Sequence, residues 1–324
     1  MSLRTGAVPA PADAVDVDIP WHFGDPHREQ RELASGHGVV DLSNRGVVTV
    51  TGPDRLGWLH SLTSQHVEHL EPGTSTTALI LSPHGHVEHE LHLVDDGTTT
   101  WLITQPGTTE ALIEYLDRMR FLLRVEVADA GEAFAVVWEP VATPDPVHPT
   151  WLVPEPFASR GYRGREVVIP RNELEARLGD GPPAGTWALE ALRTAAAMPR
   201  LGCETDHRTI PHEVGWIGPA VHLQKGCYRG QETVARVQNL GRPPRRLVLL
   251  HLDGSTEASV GHCDRVFHDG REVGWIGTAA RHFELGLIAT AIIKRNVPAD
   301  AALIVRTSSG EEIPAAQEVV VSVD

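Results

Sequence analysis

Between residues 46 and 128 the hydrophobic period switches between two and about 3.6, and after residue 243 the helical period does not return. That contrast restricts the fold more than any other feature. Gly46 to Thr51 is β-branched and predicts a strand, and Gly52-Pro53-Asp54 then starts a helix with Pro53 in its first turn. Leu56, Leu59 and Leu62 carry this helix to about His69. Thr77 to Ser82 predicts a strand, Pro83-His84-Gly85 a turn, and Val87, His89, Leu91 and Leu93 a half-buried strand. Thr100 to Thr104 predicts a further strand. A helix from Thr108 presents Leu112, Ile113, Leu116 and Met119 on one face, and Leu123 to Ala128 closes the unit as a strand. This order implies an α+β module with helices on one face of a mainly antiparallel sheet.

Residues 139–160 are proline-rich without a period and form a connection, which divides a module spanning 21–242 into two subdomains. Within its second half, Val167 to Ile169 predicts a strand and Arg171 to Leu178 a helix closed by Gly179. Thr186 caps an alanine-rich helix that runs to about Met198. Gly241-Arg242-Pro243-Pro244 marks a boundary. Beyond it, Leu247–Leu252, Arg265–His268, Glu272–Ile276, Leu285–Ile293, Ala302–Arg306 and Glu318–Val323 are short strands separated by turns. Strands at such spacing predict a small C-terminal β-barrel or sandwich over 243–324. Residues 1–20 predict a flexible tail.

The chemistry concentrates in Lys225-Gly226-Cys227-Tyr228-Arg229-Gly230-Gln231-Glu232. One thiol stands between two glycines, just before a helix that opens with Gln231 and Glu232. Unpaired N–H groups and the positive end of the helix dipole favour a thiolate there. Lys225 adds a cation two residues upstream. Lys225 and Lys294 are the only lysines among 28 basic residues, so a lysine here points to a chemical need rather than to habit. Retention of an ordinary surface lysine is the plainer alternative. Gly226 and Gly230 shape the loop.

A formal net charge of −15 argues against non-specific binding to nucleic acid or to an anionic membrane. No segment approaches the roughly 18 apolar residues of a membrane span, and the start lacks a signal-peptide pattern. Cys203, Cys227 and Cys263 are too few and too widely spaced for a disulfide framework or a cysteine metal site, which predicts a cytoplasmic protein with reduced thiols. Cys203 and Cys263 read as small buried hydrophobes.

The run from Leu192 to Arg246 carries Met198-Pro199-Arg200-Leu201-Gly202, Ile210-Pro211-His212-Glu213, the octapeptide, Val234-Ala235-Arg236 and Gly241…Arg245-Arg246-Leu247. Together these resemble the YgfZ/GcvT family, and the octapeptide resembles the Lys-Gly-Cys-Tyr-x-Gly-Gln-Glu motif of its folate-binding YgfZ branch. The resemblance implies a tetrahydrofolate-binding-type fold, tetrahydrofolate as a ligand, and assistance to iron–sulfur cluster synthesis or repair through client or assembly proteins. It also implies that Cys227 is the central reactive group with Lys225 beside it. Gly226, Tyr228, Gly230, Gln231 and Glu232 would form the motif loop, and Arg120 and Arg236 would be folate contacts. The sister branch, the aminomethyltransferase of glycine cleavage, is the alternative as a folate-dependent one-carbon transferase. That branch places an Asp pair after a Gly-Gly turn and a pterin-holding Glu in an Arg-x-Glu-Ala-Gly run. Here the corresponding stretches read Gly85-His86-Val87-Glu88-His89-Glu90 and Arg193-Thr194-Ala195-Ala196-Ala197. Alanine cannot supply the carboxylate that pairs with a pterin, so aminomethyl transfer is not expected.

His84, His86, His89 and His92 invite a metal assignment, but their spacing fits no ligand pattern and packing or solvated histidines is the plainer reading. A Cys–His hydrolase is a third reading of Cys227, with no histidine positioned for it by sequence. Arg118, Arg120 and Arg124 lie near a helix C-terminus and complement its dipole, or else wall a site for an acidic folate tail.

Overall fold

The computed structural model describes residues 5–12, 14–254 and 259–322. The N-terminal segment is not the loose tail expected over 1–20, of which residues 1–4 and 13 lie outside the described residues. Strand β1 (Val8–Pro9) pairs with β2 (Pro20–His22). Between them Asp16 is buried and bonded to Arg200 at 2.7 and 2.8 Å, so a buried ion pair fixes the segment. Helix α1 (Pro26–Ala34) adds to the sequence expectation. Its signal is local: Asp25 Oδ1 accepts from Arg28 N–H at 2.9 Å, and Pro26 occupies the first turn. Strand β3 (Val39–Asp41) follows.

The expected α+β unit forms next: β4 (Gly46–Thr51), α2 (Arg55–Leu62), β5 (Thr74–Leu81), β6 (Val87–Asp95), β7 (Thr99–Thr104), α3 (Thr109–Met119) and β8 (Glu126–Asp129). Its sheet runs β5-β6-β7-β4-β8 with every pair antiparallel. Trp58, Leu59 and Leu62 of α2 and Leu112, Tyr115 and Leu116 of α3 pack with Val48, Val50, Leu91, Leu93 and Leu102 of the sheet. The helices therefore cover one face, as their periodicity required.

A second sheet has the order β10-β11-β9-β3-β12, from β9 (Phe134–Glu139), β10 (Thr150–Leu152), β11 (Arg165–Pro170) and β12 (Pro183–Ala184). Only the β12–β3 pair is parallel. The 139–160 connection thus contains strand β10, and β9 was absent from the sequence expectation. Arg171–Glu173 forms a 3-10 turn ahead of a shorter helix α4 (Leu174–Leu178). Helix α5 (Thr186–Ala195) is capped at Gly185 rather than Thr186. It stops before Met198 because Ala197 adopts φ +51, which a right-handed helix cannot continue through.

After α6 (Gln231–Leu240), six strands close a barrel in the order β13-β16-β15-β14-β17-β18. They are β13 (Arg245–Leu252), β14 (Arg265–His268), β15 (Arg271–His282), β16 (Gly286–Lys294), β17 (Leu303–Arg306) and β18 (Glu312–Val319). The last strand lies earlier than expected, and residue 323 of that expectation is outside the described residues. The architecture is α+β with a closed six-stranded C-terminal barrel. A cluster of Leu79, Leu81, Val87, Tyr228, Val234, Leu247 and Ile292 joins the first sheet, the octapeptide and the barrel.

Candidate functional site

The octapeptide is held by parts of the chain far away in sequence. Lys225 is buried, and its Nζ donates to the carbonyls of His60 and of Thr63, the latter at 2.6 Å. These are carbonyls at the C-terminal end of α2, which lack intrahelical donors and would otherwise be unsatisfied. Lys225 Nζ also lies 4.9 Å from the Tyr228 ring centroid. Burial pulls the Lys225 pKa down to about 8, opposed by the charge of Glu68. The buried ammonium is committed to α2 and Tyr228, a role beyond the thiolate partner expected from sequence.

This contact explains where α2 stops. The helix was expected to reach His69 but ends at Leu62. Thr63 Oγ1 turns back onto Leu59 O at 2.8 Å while Lys225 takes the next carbonyls. Ser64 then bridges two elements, its Oγ donating to Ala220 O at 2.7 Å and accepting from Leu79 N–H at 2.9 Å. His222 N–H donates to Ser64 O at 3.0 Å. Residues 63–66 are thereby stitched between β5 and the approach to the octapeptide.

Cys227 is exposed, between buried Lys225 and buried Tyr228. No histidine hydrogen-bonds its Sγ among the described residues, so the hydrolase reading has no base in place. Tyr228 anchors the loop in the shared core, and burial pushes its hydroxyl pKa up to about 12. Gly230 adopts φ +83 where its backbone meets the β5–β6 turn. A Cβ there would stand 2.6 Å from Ser82 O and 2.9 Å from Gly85 Cα. Gln231 Nε2 reaches Lys225 O and Gly226 O at 3.4 and 3.5 Å. Glu232 is exposed and pairs with Arg236 at 2.8 Å.

Around this loop the structure brings together groups that the sequence did not connect. Arg229 pairs with Glu88 at 2.9 Å and lies 5.5 Å from the Tyr115 ring, with His89 at 6.3 Å from the same ring. Burial and then the Arg229 charge lower the His89 pKa to about 4, which keeps its imidazole neutral. The buried Tyr115 hydroxyl has no hydrogen-bond partner.

The four histidines of residues 84–92 separate into different surroundings. His92 is buried, bonded through Nδ1 to Glu166 at 2.7 Å and stacked on Trp151 at 3.6 Å. His89 faces Tyr115, and His84 and His86 are near each other at the turn. A different set converges: His60, His66 and Glu68 each place a ligand-type atom within 4.8 Å of the other two. Sequence reasoning missed these because it continued α2 to His69. On such a helix His60 and His66 would lie about 120° apart around the axis and about 9 Å along it, and could not meet.

Arg236 is exposed and pairs within α6, and Arg120, half-buried at the C-terminal cap of α3, pairs with Asp117 at 3.9 Å. Arg124 forms an ion pair with Asp54 at 2.7 Å, so it fastens β8 to the start of α2. Cys263 is exposed with φ +66, in a turn entering β14, and is not the buried thiol expected. Cys203 is buried as expected. On α5, Arg193 is buried against Glu190, Glu204, Thr278 and the Met198 carbonyl, and Ala195 offers no carboxylate. Nearby, a cavity of about 510 Å³ lies between the N-terminal segment, α5 and the barrel. Trp21 and Trp187, stacked with centroids 5.9 Å apart, Glu190 and Arg200 line it.

Residues 7–138 match the GCVT N-terminal domain. The chain is 25% identical to an aminomethyltransferase of Nostoc over 83% of its own length and 80% of that protein. It is likewise 25% identical to an aminomethyltransferase of Streptomyces coelicolor, over 85% and 82%. The crystal structure of the glycine cleavage system aminomethyltransferase T from Bartonella henselae superposes with a TM-score of 0.81 at 16% identity. It covers 97% of this chain and 94% of that one.

Proposed function

We propose, for a chain that carries a GCVT N-terminal domain in an aminomethyltransferase-like fold, that it binds a folate-type small molecule and supports the synthesis or repair of iron–sulfur clusters in client enzymes. Cys227 is its reactive group, acting in the cytoplasm. The observation that carries this reading is an exposed thiol on a backbone held rigidly from both sides, by Lys225 on α2 and by Gly230 against the β5–β6 turn. A thiol that served only packing would be buried. The motif resemblance supplies the iron–sulfur part. The relatives' name, aminomethyltransferase, supports a folate-type ligand, for which the cavity walled by Trp21 and Trp187 offers a flat aromatic surface. Arg120 and Arg236 are the candidate contacts for an acidic tail. Each is held only by an exposed ion pair worth less than about 1 kcal/mol, so each can turn to a ligand cheaply.

Cells lacking the protein, complemented with wild type or Cys227→Ala, test the proposal through the activities of their iron–sulfur enzymes. Wild type should restore them and Cys227→Ala should not, with both proteins melting within a few degrees of each other. Full rescue by Cys227→Ala would sink the reactive-thiol role. Formation of methylene-tetrahydrofolate on addition of tetrahydrofolate and glycine-cleavage partner proteins would instead establish the transferase reading.

A further inference from the structure

The end of α2 and the loop after it collect more imidazole than packing needs. His66 lies at the centre, with ring centroids 4.7 Å from His60, 5.5 Å from His222 and 6.3 Å from His69. Glu68 joins His60 and His66 with one atom of each residue within 4.8 Å of the others. We propose that His60, His66 and Glu68 bind a divalent transition-metal ion of the zinc or cobalt type, beside the loop that carries Cys227.

The donor chemistry sets the class of ion. Two imidazoles and one carboxylate suit a borderline ion such as Zn²⁺ or Co²⁺ far better than Mg²⁺ or Ca²⁺, which take mostly oxygen. Three protein ligands leave a tetrahedral ion one open position, the arrangement of reactive rather than purely structural zinc sites. Few bonds compete with an ion at this site. Among the described residues, no side-chain hydrogen bond or ion pair engages the His66 ring, the His222 ring or the Glu68 carboxylate. His60 Nδ1 accepts only a long 3.4 Å contact from Val67 N–H. These side chains are half-buried at His60 and exposed at His66 and Glu68, so the small closure needed to reach bonding distance requires no core movement.

The backbone that presents these groups is fixed, which distinguishes the set from a chance surface cluster. Thr63 and Lys225 end the helix after His60, and Ser64 pins the next turn to β5 and to Ala220. The same Lys225 belongs to the octapeptide, and a Cβ at the adjoining Gly226 would lie 4.0 Å from His60 Nε2. The groups facing His60 are Lys225, His66, Glu68 and His69. Of these Lys225 is the unfavourable one for a cation. Its ammonium is turned onto two carbonyls, and the Glu68 carboxylate offsets it.

Titration of the purified full-length protein with Co²⁺ tests the assignment without reference to cellular function, so its failure is separate from failure of the reading above. One Co²⁺ should bind per chain, with the intense visible absorption of a four- or five-coordinate ion and a raised melting temperature. Zn²⁺ should displace it and excess Mg²⁺ should not. His66→Ala and Glu68→Gln each should weaken binding by more than about tenfold, the loss expected even for an outer-sphere partner. Both residues are exposed, so the metal-free variants should melt with wild type. A His84→Ala/His86→Ala variant should bind as wild type does. Absent or non-saturable Co²⁺ binding would overturn the proposal, as would wild-type affinity in His66→Ala or Glu68→Gln, or loss of binding in the His84/His86 variant.

Discussion

Gly202-Cys203 and Gly226-Cys227 are the same dipeptide, and the fold gives the two thiols opposite properties. Cys203 is 5% exposed and sits among Arg193, Arg200, Glu190 and Glu204. Burial, with the Glu204 charge adding to it, pushes its pKa up to about 12. Cys227 is exposed at the turn into α6, among groups that fix the backbone and leave the sulfur free. Two adjacent arginines do not make Cys203 a thiolate, because their charge is already taken up by carboxylates. The lesson is that nearby cations activate a thiol only when they are uncommitted and the sulfur is accessible. Lys225 shows the same rule from the other side, since its charge serves the end of α2.

The sharpest way to break this comparison is native-state alkylation. At pH 8 a thiol of pKa about 12 is thiolate to only on the order of one part in 10⁴. Cys203 should therefore react at least about 100-fold more slowly than Cys227 until the protein is unfolded. Exposed Cys263 is the internal control for accessibility, and peptide mass spectrometry resolves all three. Comparable labelling of Cys203 and Cys227 in the folded protein would show that the buried network does not protect its thiol. The network itself is tested next. Arg200 donates to Asp16 twice, its Nε also donates to Gln105 Oε1 at 2.6 Å, and its backbone N–H donates to Glu204 Oε2 at 2.8 Å. Arg200→Met leaves Asp16 buried without its cation and should cost about 3–5 kcal/mol, read as a lower urea midpoint. A midpoint unchanged from wild type would mean that Asp16 and the N-terminal segment contribute nothing to the fold.

Much of this contrast was legible in the sequence, but in one direction only. The periodicity of residues 46–128 and the strand-only C-terminus led to the α+β sheet with its two helices on one face and to the barrel. The octapeptide marked Cys227 and the start of α6. What the sequence could not show was every feature set by partners remote along the chain. The end of α2 depends on Lys225, so the convergence of His60, His66 and Glu68 was hidden behind a helix drawn too long. Asp16 meets Arg200, so an apparently loose N-terminus is anchored. Cys263 reads like Cys203 in composition, yet one occupies an exposed left-handed turn and the other a charged core. Asp25-Pro26, by contrast, was a legible helix start that the periodicity argument passed over.

The two glycines around Cys227 sharpen the comparison at the smallest scale. Sequence treats Gly226 and Gly230 alike, as residues that shape the loop. Their surroundings differ. Gly230 adopts φ +83, and a Cβ on it would meet Ser82 O at 2.6 Å, Gly85 Cα at 2.9 Å and Leu81 Cβ at 3.1 Å. Two of those three atoms are backbone, which cannot rotate away, and the turn that carries them is itself closed by a Ser82–His86 backbone bond of 2.7 Å. Gly230→Ala therefore combines left-handed strain with a steric clash and should destabilise by about 1–3 kcal/mol. At Gly226 the φ is not left-handed, and a Cβ would find only His60 Nε2 at 4.0 Å. Gly226→Ala should stay within about 0.5 kcal/mol of wild type. Urea denaturation of the two variants, followed by tryptophan fluorescence, gives both values in one experiment. Equal losses at the two positions would mean that the loop is not fixed by its contact with the β5–β6 turn, and that the exposed thiol rests on Lys225 and Tyr228 alone.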